Sequence, residues 1–236
     1  MSSRYAIYVV PDDNDLFRRA SQWLGWDCVA ADALDPPSED ELANPADLDI
    51  RDISATPRKY GFHGTIKPPF SLAEGVDEAT LCEQAQAIAT SLEPIGLDGL
   101  EIRTIGGFLA LVPQASSTAL NDLAARFVTD LDHCRRPAGP EELARRRAAG
   151  LTQRQEEMLV AWGYPYVLDE FRFHLTLSGR LDEDNIAAAR DMLSVWIGPV
   201  VPRPFRIDRL ALVKDGDDGR FRVVRWLPLG AVTPDC

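Results

Sequence analysis

The chain has 236 residues, long enough for one large domain or two small ones, and 45% of them are hydrophobic, enough to bury a core. Its 25 Lys and Arg against 37 Asp and Glu give a net charge of −12 and a pI near 4.7. That balance disfavours a duplex or a long RNA as partner, whereas a local cluster of cations can still hold one small phosphate.

No apolar run approaches the roughly 18 residues of a membrane span, and the opening MSSRYAIYVVPDD lacks the marks of a secretory signal. The four cysteines (Cys28, Cys82, Cys134 and Cys236) form no CxxC pair, so free thiols in a cytoplasmic protein are expected, with no disulfide scaffold and no zinc site.

RYAIYVV (4–10) predicts a buried strand ended by Pro11, and DNDLFRRASQWLGW (13–26) an amphipathic helix capped by Asp13 or Asn14. The acidic, proline-rich stretch that follows, up to Tyr60, predicts a long surface loop with a short helical turn. KYGFHGTIKPPF (59–70) predicts a strand, 77–92 a helix, and LEIRTI (100–105) with FLALVP (108–113) a hairpin turning on Gly106-Gly107. A helix over 117–135 and an apparent insertion of two helices over 138–165 come next. Then FRFHLTLSG (171–179) opens the same series again: a helix over 182–197, FRIDRLALV (205–213) and FRVVRWLPL (221–229). The final strand begins 45 residues after the first motif histidine and 47 after the second, so the chain reads as a diverged duplication of a β-α-β-β unit. The expected fold is α+β and bilobal, with antiparallel-rich sheets around a central cleft. One lobe spans about 60–135 and the other about 170–230.

Two of only three histidines thus occupy one frame: aromatic, His, any residue, Thr, aliphatic. With ten threonines in the chain, two such hits from three histidines are roughly a 0.5% coincidence. Strand alternation puts His63, Thr65 and Lys67 on one face, and Arg172, His174, Thr176 and Ser178 on one face of the second strand, with Phe171, Phe173, Leu175 and Leu177 toward the core. Two histidines of near-neutral pKa can share acid and base duty, threonine hydroxyls can donate to phosphate oxygens, and Lys67 or Arg172 can offset charge, with no metal required. Arg58 and Lys59 are further candidates for phosphate, and Tyr60 for a sugar or base. His133 has no such frame. The arginines 145, 146, 147 and 154 read either as a solvated helix face or as a basic lid over an anion. No GxxxxGK[ST] phosphate loop is present.

YGFHGTIKPPF and FRFHLTLSG resemble the paired motifs of the 2H phosphoesterase superfamily, and, with the opening RYAIYVVP, most resemble the branch encoded near phosphonate-utilisation genes. The resemblance implies that His63 and His174 are the acid–base pair and that Thr65 and Thr176 donate to phosphate oxygens. It also implies a metal-independent opening of a small sugar or nucleotide cyclic phosphate, without cofactor. One departure is Gly64, where the commoner motif has a hydrophobic residue, as Leu175 is. The rival expectation is a module that binds a phosphate metabolite without turning it over. Oligomeric state is left open by the sequence.

Overall fold

The structure, a computed structural model, describes residues 3–12 and 14–230. Strand β1 (Arg4–Val9) leads into helix α1 (Asp15–Leu24), whose first turn is capped by Asn14 accepting from the Phe17 amide. Asp13, the other candidate cap, lies outside the described residues, as does Cys236. The acidic segment contains a small hairpin, β2 (Trp26–Asp27) with β3 (Asp32–Ala33), then two short helices, α2 (Ile50–Ile53) and α3 (Ala55–Arg58).

The first repeat follows as β4 (Gly64–Ser71), α4 (Glu78–Thr90), a short β5 (Ile95–Leu97), β6 (Leu100–Ile105) and β7 (Phe108–Pro113). Gly106 and Gly107 have φ of 52° and 93°, the left-handed pair that a tight hairpin turn needs. Helix α5 (Thr118–Asp130) and the two inserted helices, α6 (Pro140–Arg147) and α7 (Gln153–Trp162), come before the second repeat. That repeat is β8 (Leu175–Thr176), α8 (Glu183–Trp196), a short β9 (Phe205–Ile207), β10 (Arg209–Asp215) and β11 (Phe221–Pro228).

The fold is α+β, built on an antiparallel sheet of seven strands in the order β11-β10-β1-β4-β8-β7-β6. The two halves form one continuous sheet, joined at a narrow seam where Gly64 pairs with Leu175. Each histidine strand lies on the side of the other repeat's hairpin: β4 is joined to β10 and β11 through β1, and β8 pairs directly with β7, which pairs with β6. The helices follow the same exchange, α4 packing on β10 and β11 and α8 on β6 and β7. Strands β5 and β9 pair with each other and tie the two repeats together again.

Phe62, Ile66, Phe173, Leu175 and Leu177 are buried in the one large hydrophobic cluster, as the alternation predicts. Their burial drives the polar edges of both motif strands outward to the opposite face. Among the described residues no helix is long and apolar enough to cross a membrane.

Candidate active site

The polar side of the seam opens into a cavity of about 840 Å³ lined by His63, Thr65, His174 and Thr176. Antiparallel pairing centred on Gly64 and Leu175 sets His63 across from Thr176 and Thr65 across from His174. A pseudo-twofold relation through that pair therefore brings the two motifs face to face.

Both imidazoles are held the same way. His63 Nδ1 donates to the Gly61 carbonyl at 2.9 Å, and His174 Nδ1 donates to the Arg172 carbonyl at 2.7 Å, each two residues back. A carbonyl only accepts, so the neutral rings carry their proton on Nδ1 and keep Nε2 as an unprotonated acceptor, which on His63 takes a hydrogen bond from Thr65. Thr65 places its hydroxyl 3.2 Å from His63 Nε2. Tyr8 stacks on the His63 ring with 3.8 Å between centroids, Tyr60 is tilted at 6.0 Å, and Phe108 lies 5.6 Å from His174. This packing takes part of each ring out of water and disfavours the charged forms. Burial pushes the pKa of His63 down from 6.5 to about 4, and it also lowers that of His174.

Gly64 is a glycine for a definite reason. A Cβ there would stand 2.4 Å from the Phe173 ring, which fills the space beneath the seam on the core face. The departure from the commoner motif leaves the cavity face unaltered.

Of the other expected site residues, Tyr60 and Ser178 line the cavity. The Ser178 hydroxyl is already committed, accepting from the Leu109 amide at 2.9 Å and donating to the Gly179 carbonyl at 2.8 Å, so it clamps β7 to the second motif. Lys67 is a correction. The β1–β4 ladder is irregular between Ile7 and Tyr8, where β4 accommodates an extra residue, and this bulge turns Lys67 to the other face. There the amine is buried and donates to the Val128 carbonyl at 3.0 Å, with desolvation pulling its pKa down to about 8. Arg172 is exposed and does not line the cavity. Regular pairing of its strand is confined to Leu175–Thr176, so strand alternation does not reach back to it. Arg58 is also outside, bonded to the carbonyls of Leu24 and Arg51 and to the Ser54 hydroxyl, which ties α1 to α2 and α3.

The arginine cluster divides. Arg147 is paired with Glu156, and Arg154 with Asp169 and Glu157, whereas Arg145 and Arg146 line the cavity. His133 lies outside it, bonded to Gln84. Sequence reasoning missed Arg4, Tyr8, Thr56 and Arg180, all on the cavity wall. Arg180 lies four residues past β8, where the strand period no longer fixes side-chain direction. Among the described residues no group of three or more His, Cys, Asp or Glu could hold a metal ion.

A family model described as "Protein of unknown function (DUF1045)" matches residues 65–222, from the first motif threonine to the start of the last strand of the second repeat. The chain belongs to that family. It is 35% identical over 218 residues to "Ribose 1,5-bisphosphate phosphokinase PhnN" of Janthinobacterium sp. (strain Marseille), covering 90% of this chain and 48% of that protein. It is 31% identical over 234 residues to the protein of the same name from Laribacter hongkongensis (strain HLHK9), covering 98% of this chain and 53% of that one. The chain thus spans about half the length of these curated relatives. Among solved structures, "Crystal structure of phosphoesterase" is similar with a TM-score of 0.46 and 14% identity, over 98% of this chain and 99% of that one. E. coli LigT complexed with NADP+ gives 0.47 and 13%, over 97% and 98%.

Proposed function

We propose that the protein opens a small cyclic phosphate by acid–base catalysis between His63 and His174. The observation that carries this reading is the matched presentation of two imidazoles, each fixed through Nδ1 and each with Nε2 unprotonated, with Thr65 and Thr176 in the same cavity. One Nε2 takes a proton from the attacking water as its oxygen bonds to phosphorus. The other histidine, protonated, gives its proton to the ester oxygen as the P–O bond breaks, so a cyclic diester and water become a phosphomonoester with a free hydroxyl. The threonine hydroxyls donate to the non-bridging oxygens as charge builds on them. The two motif strands are equivalent by the pseudo-twofold relation, so either histidine can serve as base.

The relatives' name supports a sugar substrate. It specifies ribose 1,5-bisphosphate, and a ribose 1,2-cyclic phosphate opened at its O2–P bond leaves the phosphate on C1, as in that compound. The proposed substrate class is therefore a ribose 1,2-cyclic phosphate. Phosphorus NMR on the protein with chelator, offered ribose 1,2-cyclic and 2′,3′-cyclic nucleotide phosphates beside a His174→Ala control, tests both parts. Ring opening of the ribose compound that vanishes in the control upholds the reading. Preference for the nucleotides would overturn the substrate, and binding without turnover would make the protein a sensing module.

A further inference from the structure

We propose that the outer edge of β6 is a docking surface for a second copy of this chain. The two edges pair antiparallel about Ile102 and join two sheets into one.

The edge is open by its hydrogen-bond phase. Both backbone groups of Leu109 in β7 are taken on the β8 side. Its amide donates to the Ser178 hydroxyl, and its carbonyl accepts from the Leu177 and Ser178 amides. Thr104 stands opposite Leu109, so its own N–H and C=O point the other way, out of the sheet. At the start of the strand the Gln114 amide donates to the Gly99 carbonyl, which sets the same phase. Glu101, Arg103 and Ile105 therefore turn their backbone groups to β7, and Leu100, Ile102 and Thr104 turn theirs outward. None of those three outward amides has a backbone partner among the described residues. The opposite edge differs, because the Phe221 and Val223 amides of β11 donate to the Lys59 and Cys28 carbonyls. A row of unpaired edge groups is a template for another strand.

Charge then selects the occupant and its register. Glu101 and Arg103 flank Ile102 and form an ion pair at 2.5 Å, with the arginine 61% exposed. Both lie on the cavity side of the sheet, since Arg103 pairs with Ala110 and Ala110 with Thr176. Antiparallel pairing centred on Ile102 sets Glu101 opposite Arg103 of the second copy, and Arg103 opposite its Glu101. That centre also sets Ile102 against Ile102 and Leu100 against Thr104, so outward groups meet outward groups and each such pair exchanges both hydrogen bonds. The charged residues fall at the non-hydrogen-bonded positions, where facing side chains come closest. Charge and hydrogen-bond phase thus call for one and the same register. A strand complementary to itself in both respects fits its own twin.

The helix above the edge leaves room. Arg190 of α8 donates to the Thr104 hydroxyl at 2.6 Å, and Ala187 and Ser194, on the same flank of the helix, are short and exposed. The twofold axis stands perpendicular to the joined sheet, so both cavities open on one side of it. A single strand edge with its flanking helices is a small interface, which sets the dissociation constant on the order of 10 µM.

Sedimentation velocity over concentrations spanning that value tests the pairing. The salt should be about 0.15 M, where charges more than about 8 Å apart are largely screened and the net −12 of each copy opposes association less. The wild type should pass from monomer to dimer. Thr104→Pro removes one outward amide and leaves the bonds to β7 in place. Glu101→Arg and Arg103→Glu each set like charges across the axis. Every one of these variants alone should associate about tenfold more weakly or worse. An equimolar mixture of the two charge variants should recover the dimer, because each arginine of one then meets a glutamate of the other, and only folded parts can do so. A wild type that stays monomeric would overturn the proposal, as it would if the edge served a strand of another protein. Association unchanged in all three variants, or a mixture no more associated than its parts, would overturn it equally.

Discussion

The phenol ring of Tyr8 lies stacked on the imidazole of His63, 3.8 Å between centroids and 23° between planes, and Tyr8 itself is buried. Desolvation is the main reason His63 is hard to protonate. Tyr8→Ala would admit water to the ring, so the His63 pKa should climb from about 4 toward 6.5, by one unit or more. An NMR titration of the imidazole protons reads this directly. A pKa that stayed put would place the cause of the shift in other neighbours.

Removal of either imidazole deletes one proton-transfer partner and touches little of the core. His63→Ala and His174→Ala should each lower kcat by about 10²- to 10⁴-fold while thermal unfolding shifts by a few degrees at most. A large fall in melting temperature with only proportionate loss of activity would mark them as packing residues.

The pH dependence follows from the same burial. One histidine must be neutral and the other protonated in the free enzyme. Both pKa values lie below 6.5, one of them at about 4, so the productive pair is most populated between those two values. Above that window the acid loses its proton, and below it the base gains one. With ribose 1,2-cyclic phosphate lacking a 5-phosphate, kcat/KM should peak in mildly acid solution and fall about tenfold per unit on the alkaline side. A plateau extending past pH 8 would contradict the assignment.

Gly64→Ala would drive a methyl group into the Phe173 ring. It should destabilise the protein by about 1–3 kcal/mol, as overpacked cores do, and Phe173→Leu in the same chain should restore part of that. Additive losses in chemical denaturation would show that ring and glycine do not compete for space.

Thr65 and Lys67 stand two apart on one strand with opposite fates. Thr65→Val removes a donor beside His63 Nε2 and should cost about 2–4 kcal/mol in the transition state. Lys67→Met alters a buried amine bonded to Val128 and should leave kcat/KM within about twofold. The reverse ranking in steady-state kinetics would restore Lys67 to the cavity.

The element order was legible because each segment carries its own period: the run 4–10, the helices after each motif and the Gly-Gly hairpin all lie where their patterns put them. The histidine–threonine pairs were legible because the frame occurs twice. Side-chain direction beyond the pairs was not, since alternation holds only while the ladder stays regular. The bulge in β4 misplaced Lys67, and the shortness of β8 misplaced Arg172. Tyr8 looked like one more apolar strand residue, and nothing local distinguishes a tyrosine that supports a histidine from one that fills a core. The role of Arg58 depends on carbonyls in α1 and α2, contacts that no local pattern encodes.

The crossing of the two repeats in the sheet bears on how the chain is made. As the polypeptide leaves the ribosome, the strand of His63 has β1 on one side, but the hairpin that completes that half is translated more than a hundred residues later. The half that holds β4 cannot close before β10 and β11 are made, and β8 follows its own partners β6 and β7, so cutting the gene between the motifs should yield two pieces that fold only on each other. The pairing of Gly64 with Leu175 gives the two motif strands the relation that two copies of one unit would have in a symmetric dimer, here held within one polypeptide.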